Sequence, residues 1–247
     1  MWLPRVAMAA SGGGSTIRRI LPEVLACNGQ LYGHIQAVLL VVDRPCNAKN
    51  VWKGLGMPAS HIVEIAHGDP DMALKLAEAF ETYGIDLFSG HGFLSRVPVE
   101  AIPNYTDRHI VYMNQHPAPK PLVGGEGFWG KVPHSTVALY NERSGGKFLD
   151  GTPLFTEAWQ HYIDAEFDTG AGISVLTLPL FGGDCAESIQ ERVMESEWRN
   201  CIEAYKQLAS HNPGERVPTF DSCWNEQTID LELLEQCRQK ALALGPH

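Results

Sequence analysis

Hydrophobic residues in the first half of the chain form short continuous runs, and segments with helical spacing separate them. Because such runs are apolar on both faces, they predict buried strands. The five runs cover residues 5–9, 35–42, 62–65, 85–89 and 109–113. Residues 16–27 and a segment that begins at Asp69 show the helical spacing. Alternating strands and helices predict an α/β fold with a doubly wound, mainly parallel sheet of the Rossmann-like type.

The second half of the chain continues this pattern and ends in a different one. Two more strands are predicted at 159–164 and 172–180, and a long helix, capped by Asp184, at 185–208. A turn-rich stretch and a last helix follow. We therefore expect a main domain at 1–208. A short C-terminal extension at 209–247 would pack on this domain or on an oligomer partner.

Charge and composition narrow the classes of function. The net charge is −10 with no Lys/Arg run, which argues against a nucleic-acid partner. The longest apolar run, 35–42, is far shorter than the roughly 20 residues of a membrane-spanning helix. No apolar stretch near Met1 suits a signal peptide, so a cytoplasmic location is expected. The six cysteines lack zinc-ligand spacing, so no metal is expected. Small-molecule substrates fit best, with a monomer or homodimer and no membrane partner.

Candidate chemistry follows the fifth run, where Asn114-Gln115-His116-Pro117 stands, and reappears about fifty residues later in Phe167-Asp168-Thr169-Gly170. An amide and a protonated imidazole can donate hydrogen bonds to a developing oxyanion, while a carboxylate orients the imidazole. Taken alone, Asn114 and His116 are more typical of a strand-end turn with satisfied hydrogen bonds. Together with Asp168 they favour a site for acyl or formyl transfer.

Two glycine-rich segments indicate close contact with ligands. Residues 11–16 lie between the first strand and the first helix, where backbone N–H groups and the helix dipole favour a phosphate. They match neither the dinucleotide fingerprint nor the P-loop, so a monophosphate or a simple tight turn remains. Residues 124–130 are too rich in glycine for a regular element, which a close backbone approach to a ligand would explain.

The order of these motifs resembles that of the folate-dependent formyltransferases, most closely the phosphoribosylglycinamide formyltransferases. The resemblance covers roughly residues 5–208 and includes the glycine-aromatic turn after the fourth strand and the passage 178–184 before the long helix. It implies an enzyme of one-carbon metabolism and purine biosynthesis. The enzyme would transfer a formyl group from 10-formyltetrahydrofolate, its cosubstrate, to the primary amine of glycinamide ribonucleotide.

The resemblance also implies roles for individual residues. Asn114, His116 and Asp168 would be catalytic, with His161 behind them, and Asp168 would raise the pKa of His116. The phosphate would lie on Gly14, Ser15 and Thr16. The remaining substrate contacts would come from Gly124, Gly125, Glu126 and Glu197. The folate would lie along Gly92, Phe93, Leu94, Arg96 and Val97.

Four positions depart from the family pattern: Ser95, Glu126, Trp159 and Thr169. They bear on substrate recognition more than on chemistry. Glu126 matters most because relatives usually carry Lys there, and a carboxylate weakens phosphate binding unless Lys120 or Lys131 compensates. The true acceptor therefore stays open.

Three alternatives remain. The chain could formylate another amine, such as an amino sugar nucleotide, or hydrolyse formyltetrahydrofolate with water in place of the amine. It could also be a silent folate- or nucleotide-binding module, because fold alone does not imply activity. A methionyl-tRNA formyltransferase is disfavoured, since residues 209–247 are short and acidic rather than basic.

Overall fold

The computed structural model describes residues 2–103, 109–212 and 215–246. Its centre is a seven-stranded sheet in the order β3-β2-β1-β4-β5-β6-β7. Strands β1 to β5 pair in parallel, and β6 and β7 pair antiparallel. The strands are β1 (Arg5–Ala10), β2 (Gln36–Val42), β3 (Ile62–Glu64), β4 (Leu87–Gly90), β5 (Val111–His116), β6 (Phe155–Tyr162) and β7 (Gly172–Pro179). The predicted α/β fold with a mainly parallel sheet is confirmed.

Helices cover both faces of the sheet. They are α1 (Ser15–Leu25), α2 (Ala48–Gly54), α3 (Met72–Tyr83), α4 (Val132–Arg143), α5 (Ala186–Ala209) and α6 (Leu231–Leu244). Val6 and Met8 of β1 pack in a cluster with α1 and α5, whereas Ala7 and Ala9 pack on the other face with α3. Because side chains alternate along a strand, β1 serves both layers. A third cluster joins α4 and α6 to the antiparallel strands.

The prediction of a strand at 159–164 is wrong in its limits, because β6 runs from Phe155 to Tyr162. Thr156 and Glu157 are buried near its start, and their polar side chains interrupt the apolar pattern that marks a strand. Helices α2 and α4 were not predicted. Eight of the twelve residues of α4 are buried, so it lacks the one-sided apolar stripe that identifies a surface helix.

Two predicted helix starts are displaced. The residue before α3 is Asp71 rather than Asp69, whose carboxylate instead accepts from the backbone N–H of Asp71 at 2.9 Å. The residue before α5 is Cys185 rather than Asp184. The Asp184 carboxylate accepts from the backbone N–H of Phe181 at 2.8 Å and so closes the preceding turn.

Residues beyond α5 pack against the antiparallel end of the sheet. The N–H of Phe220 donates to the carbonyl of Gly172 at 3.1 Å, Trp224 is buried, and α6 packs on α4. The division into a domain at 1–208 and an extension at 209–247 stays a prediction. Among the described helices, none combines the length and apolar character that crossing a membrane requires.

Candidate active site

The pairing register of β4, β5 and β6 brings polar groups together at the carboxyl ends of the parallel strands. Gly90 pairs with Asn114, and Asn114 pairs with His161. A Cβ at Gly90 would lie 2.5 Å from Asn114 Oδ1. Glycine at this position therefore leaves the space that the Asn114 amide occupies.

Asp168 lies in the loop between β6 and β7 and has a backbone φ of 59°. This left-handed conformation is uncommon outside glycine, although Asp tolerates it better than most residues. Its Oδ2 accepts from the backbone N–H of Gly125 at 3.0 Å. A Cβ at Gly124 would lie 2.9 Å from the Cβ of Asp168, so the glycine-rich loop can approach the carboxylate only without a side chain there.

Two histidines flank the Asp168 carboxylate. His116 Nδ1 lies 3.4 Å from Oδ2, and His161 Nε2 lies 3.4 Å from Oδ1. The outer nitrogen of each ring faces a backbone carbonyl: His116 Nε2 is 2.6 Å from Val123 O, and His161 Nδ1 is 2.8 Å from Tyr162 O. Each outer nitrogen must therefore carry a proton, and only a doubly protonated ring also donates to Asp168.

The charge states of Asp168 and His116 depend on their burial and on their neighbours. Burial alone would raise the pKa of Asp168, but His116 and His161 hold that pKa well below its usual range. Burial lowers the pKa of His116, and the charge of Asp168 opposes this effect without reversing it. The prediction of a raised His116 pKa is therefore wrong, because desolvation outweighs the neighbouring carboxylate.

A cleft opens beside Asn114, His161 and Asp168, with about 450 Å³ between its walls when the adjoining open solvent is included. Its apolar wall contains Phe88, Phe93, Val97, Ile163 and Phe167, and Ser95 and Arg96 also line it. Of the predicted folate-binding residues, Phe93, Arg96 and Val97 lie on this cleft. Gly92 and Leu94 belong to the same loop but are not part of the lining.

Arg96 joins the two sides of this cleft. Its guanidinium donates to the carbonyl of Ala165 at 2.8 Å and pairs with Glu100 at 2.7 Å. The neighbouring backbone N–H of Leu94 donates to Ser11 Oγ at 2.7 Å, which connects the cleft to the first glycine-rich segment.

The first glycine-rich segment forms the start of α1. Gly14 has a φ of 70°, and no side chain caps the helix among the described residues. A Cβ at Gly14 would lie 2.9 Å from the Cα of Ala48, so the segment packs closely against α2. Gly12 and Gly13 have open space around them. Ser15 and Thr16 begin the first turn, whose backbone N–H groups have no hydrogen-bond partner within the helix.

Glu197 of α5 lies buried behind this loop, with hydrogen bonds from Gln115 and Thr16. Burial raises the pKa of Glu197 to about 7, and the two hydrogen bonds oppose this rise. The residue thus couples the start of α1 to β5, one position before His116.

Replacing Glu197 by Gln should remove a pH dependence of stability. The folded pKa of about 7 exceeds the unfolded value, so folding favours the protonated carboxyl. The wild-type free energy of unfolding should therefore fall as the pH rises from about 4.5 to about 7. Urea unfolding at several pH values checks this, with exposed Glu203→Gln on the same helix as the control. An equal slope in Glu197→Gln and the wild type would contradict it.

The second glycine-rich segment carries Gly125 and Gly127 with φ angles of 100° and 84°. Glu126 between them is exposed. Lys131 pairs with Glu187 at 2.8 Å and Lys120 is buried, so neither of the two lysines that could offset Glu126 pairs with it.

Phe128 and Trp129, just beyond this segment, differ in burial. Phe128 is buried, whereas 40% of Trp129 is exposed. Of these two aromatic residues, only Phe128 therefore belongs to the core.

Lys120 is a site residue whose position the sequence does not reveal. Its ammonium donates to the carbonyl of Gly170, two residues after Asp168, and lies 5.4 Å from the centre of the Trp159 ring. Trp159 Nε1 in turn donates to Glu157 at 2.9 Å. Trp159, one of the four positions that depart from the family pattern, thus belongs to a buried charged network beneath the Asp168 loop, because Lys120 lies on its ring.

His91 has a structural position, away from the Asp168 carboxylate. It is buried against Ser89 and Tyr205, and burial lowers its pKa to about 4. In residues 2–103, 109–212 and 215–246, no group of three or more His, Cys, Asp or Glu has an arrangement that could hold a metal. The expectation that no metal is needed stays a prediction.

The fold and site define a class: an α/β protein with amide, imidazole and carboxylate groups at the carboxyl ends of its strands, beside an apolar cleft. No protein-family model matches the chain. It is 27% identical over 203 residues to the chloroplastic phosphoribosylglycinamide formyltransferase of Arabidopsis thaliana, covering 81% of this chain and 63% of that protein. It is 26% identical over 208 residues to the phosphoribosylglycinamide formyltransferase of Mycobacterium tuberculosis, covering 84% of this chain and 86% of that protein.

Solved structures agree in fold. The phosphoribosylglycinamide formyltransferase of Anaplasma phagocytophilum has a TM-score of 0.65 at 18% identity, covering 85% of this chain and 88% of that one. Glycinamide ribonucleotide transformylase 1 of Symbiobacterium toebii has a TM-score of 0.62 at 22% identity, covering 89% of this chain and 95% of that one. The predicted resemblance is confirmed, and these relatives are enzymes. The chain spans only 63% and 60% of the lengths of the two plant relatives it matches.

Proposed function

We propose that this protein transfers a formyl group from 10-formyltetrahydrofolate to the primary amine of glycinamide ribonucleotide. The observation that carries the proposal is the placement of Asp168 between two histidines, beside Asn114 and at the end of an apolar cleft. This arrangement supplies an amide donor, a cationic imidazole when protonated, and a proton acceptor. Formyl transfer to an amine needs these three groups.

The cleft suits the donor substrate. Phe88, Phe93 and Val97 form an apolar wall, and a flat heteroaromatic ring is bound well by aromatic and aliphatic side chains with a few polar groups at the rim. Ser95 and Arg96 supply polar groups at this wall. The pterin would enter here, with its formyl group directed at Asn114.

The acceptor would bind on the other side of Asn114. Its phosphate would lie at Gly14, Ser15 and Thr16, where the start of α1 offers backbone N–H groups and the positive end of the helix dipole. Glu197 lies behind this point, and Gly124 to Glu126 would border the reacting amine.

In the reaction, the amine nitrogen attacks the formyl carbon and a C–N bond forms while negative charge develops on the formyl oxygen. The Asn114 amide donates a hydrogen bond to this oxygen. The oxyanion adds a second negative charge beside Asp168, which raises the pKa of His116 and favours its protonation at this stage. The ring takes this proton from solvent and returns it when the oxyanion collapses. Val123 O and Asp168 then accept the two N–H groups of the ring.

Proton transfer completes the exchange. The attacking amine loses one proton to Asp168 through a water molecule, and the bond between the formyl carbon and the folate nitrogen breaks. That nitrogen leaves with a proton, so one proton passes from acceptor to donor and no net charge is created. Asp168 stays ionised near neutral pH because its pKa lies well below its usual range, so its carboxylate can hold the bridging water and pass the proton on to the leaving nitrogen rather than keep it.

One assay tests the proposal. The protein is incubated with 10-formyltetrahydrofolate, with and without glycinamide ribonucleotide, while tetrahydrofolate release and the formylated amine are followed. Product that requires the amine supports the proposal. Release without the amine would show a hydrolase, and folate binding without turnover would show a silent module. A panel of amines that includes an amino sugar nucleotide then tests the acceptor, for which the exposed Glu126 is the main concern.

A further inference from the structure

The last helix of the chain contacts the loop that holds the candidate catalytic pair. Arg238 of α6 directs its guanidinium into this loop: Nη1 donates to the carbonyl of Leu122, and Nη1 and Nη2 both lie 3.5 Å from the carbonyl of Gly124. The guanidinium also lies 4.2 Å from the centre of the Phe128 ring. Arg238 thus contacts the loop at three points.

Between the two carbonyls that Arg238 contacts lies Val123, whose own carbonyl faces His116 Nε2 at 2.6 Å. The residue after Gly124, Gly125, donates its N–H to Asp168 Oδ2. Successive peptide groups therefore face Arg238 on one side and His116 and Asp168 on the other. A shift of this short backbone segment would move both members of the pair.

Other contacts of α6 support the same loop without reaching the pair. The carbonyl of Pro246, just after the helix, accepts from the N–H of Lys131 at 3.1 Å. A Cβ at Gly127 would lie 3.2 Å from Leu242 Cδ2. The helix and the residue after it thus contact the loop at several separate points, and Arg238 supplies the contacts on either side of Val123.

We propose that Arg238 is a positioning residue, which holds the 122–125 backbone so that Val123 O orients His116 and Gly125 N–H orients Asp168. Five donors on a planar guanidinium suit it to two carbonyls at once, which an ammonium cannot reproduce in the same geometry. In this view the C-terminal helix completes the site rather than only covering the domain. The expected effect of Arg238 on catalysis rests on the proposed function. Its expected effect on the positions of His116 and Asp168 does not.

The test compares Arg238→Met with Arg143→Met. Arg143 also joins α4 to α6, donating to Gln236 at 2.6 Å and lying 4.0 Å from Cys237 Sγ, but it does not contact the 122–125 loop. Both variants remove one guanidinium from the contacts of α6. Arg238→Lys keeps the charge and loses the paired donors.

Two readouts are needed. In chains with nitrogen-labelled histidine, the ring signals of His116 should shift in Arg238→Met and stay in place in Arg143→Met. In the formyl transfer assay, kcat should fall by about 100-fold in Arg238→Met with little change in KM, because a small misplacement of reacting groups costs about this much. Arg238→Lys should be intermediate.

The outcomes separate the two ideas. Unchanged His116 signals in folded Arg238→Met, or equal changes in Arg143→Met, would overturn the positioning role. Absence of formyl transfer in the wild type, together with a His116 shift confined to the Arg238 variants, would overturn the proposed function and leave the positioning role supported. If Arg238→Met fails to fold, the comparison of Arg238→Lys with Arg143→Lys decides.

Discussion

Asp168→Asn should reduce formyl transfer by about 10²- to 10⁴-fold, the range expected for loss of a positioned proton acceptor. The amide is nearly isosteric with the carboxylate, and its oxygen can still accept from the Gly125 N–H. It cannot take a proton from the amine. The substitution also removes the negative charge that opposes the effect of desolvation on His116, so the pKa of His116 should fall further. Single-turnover kinetics at saturating substrates measure the loss, and histidine NMR measures the pKa.

Stability supplies a control for this variant. Because the folded pKa of Asp168 is depressed, its contribution is present above the unfolded pKa of about 3.9 and is lost as the pH falls below that value. Asp168→Asn should lack this acid-dependent loss, while Asp164→Asn at the exposed end of the same loop should retain it. Formyl transfer by Asp168→Asn at more than about a tenth of the wild-type rate would refute the assigned role.

Much of the fold was predictable because β1, β2 and β4 are largely buried on both faces and therefore appear as apolar runs. The predicted limits of an element were wrong where tertiary contacts override the apolar pattern of the sequence. Glu157 is buried inside β6, accepting from Ser222 at 2.5 Å, from the Cys223 N–H at 2.9 Å and from Trp159. Two of the residues that satisfy this carboxylate, Ser222 and Cys223, lie more than sixty positions away in the chain, so no local rule assigns Glu157 to a strand.

The same distinction applies to the candidate site. Asn114, His116 and Asp168 were found because their residue types and order are informative by themselves. Lys120 and Arg238 were not, since lysine and arginine are usually exposed, and the burial of Lys120 and the partial burial of Arg238 depend on Trp159 and on the loop carbonyls. The charge state of His116 was predicted from its neighbour alone. Sequence conveys the neighbour but not the extent of burial, and burial dominates.

Asn114→Ala should lower kcat by about 10²- to 10³-fold, as removal of one oxyanion donor does in acyl-transfer enzymes. Substrate KM should change little, because the hydrogen bond forms fully only as charge develops on the formyl oxygen. The Asn114 side chain lines the cleft beside Asp168, and its removal leaves the flanking His161 and the sheet pairing in place. Steady-state kinetics with both substrates separate the two constants.

Gly90→Ala gives an independent test of the same amide without deleting it. The added methyl group would lie 2.5 Å from Asn114 Oδ1, the free end of a side chain, so the amide should rotate away while the sheet persists. A loss of about 10- to 100-fold in kcat is expected from this misplacement. Combined with Asn114→Ala, Gly90→Ala should cost little more, because the group it displaces is already absent. Additive losses in the double variant would show that Gly90 acts on something other than the Asn114 amide.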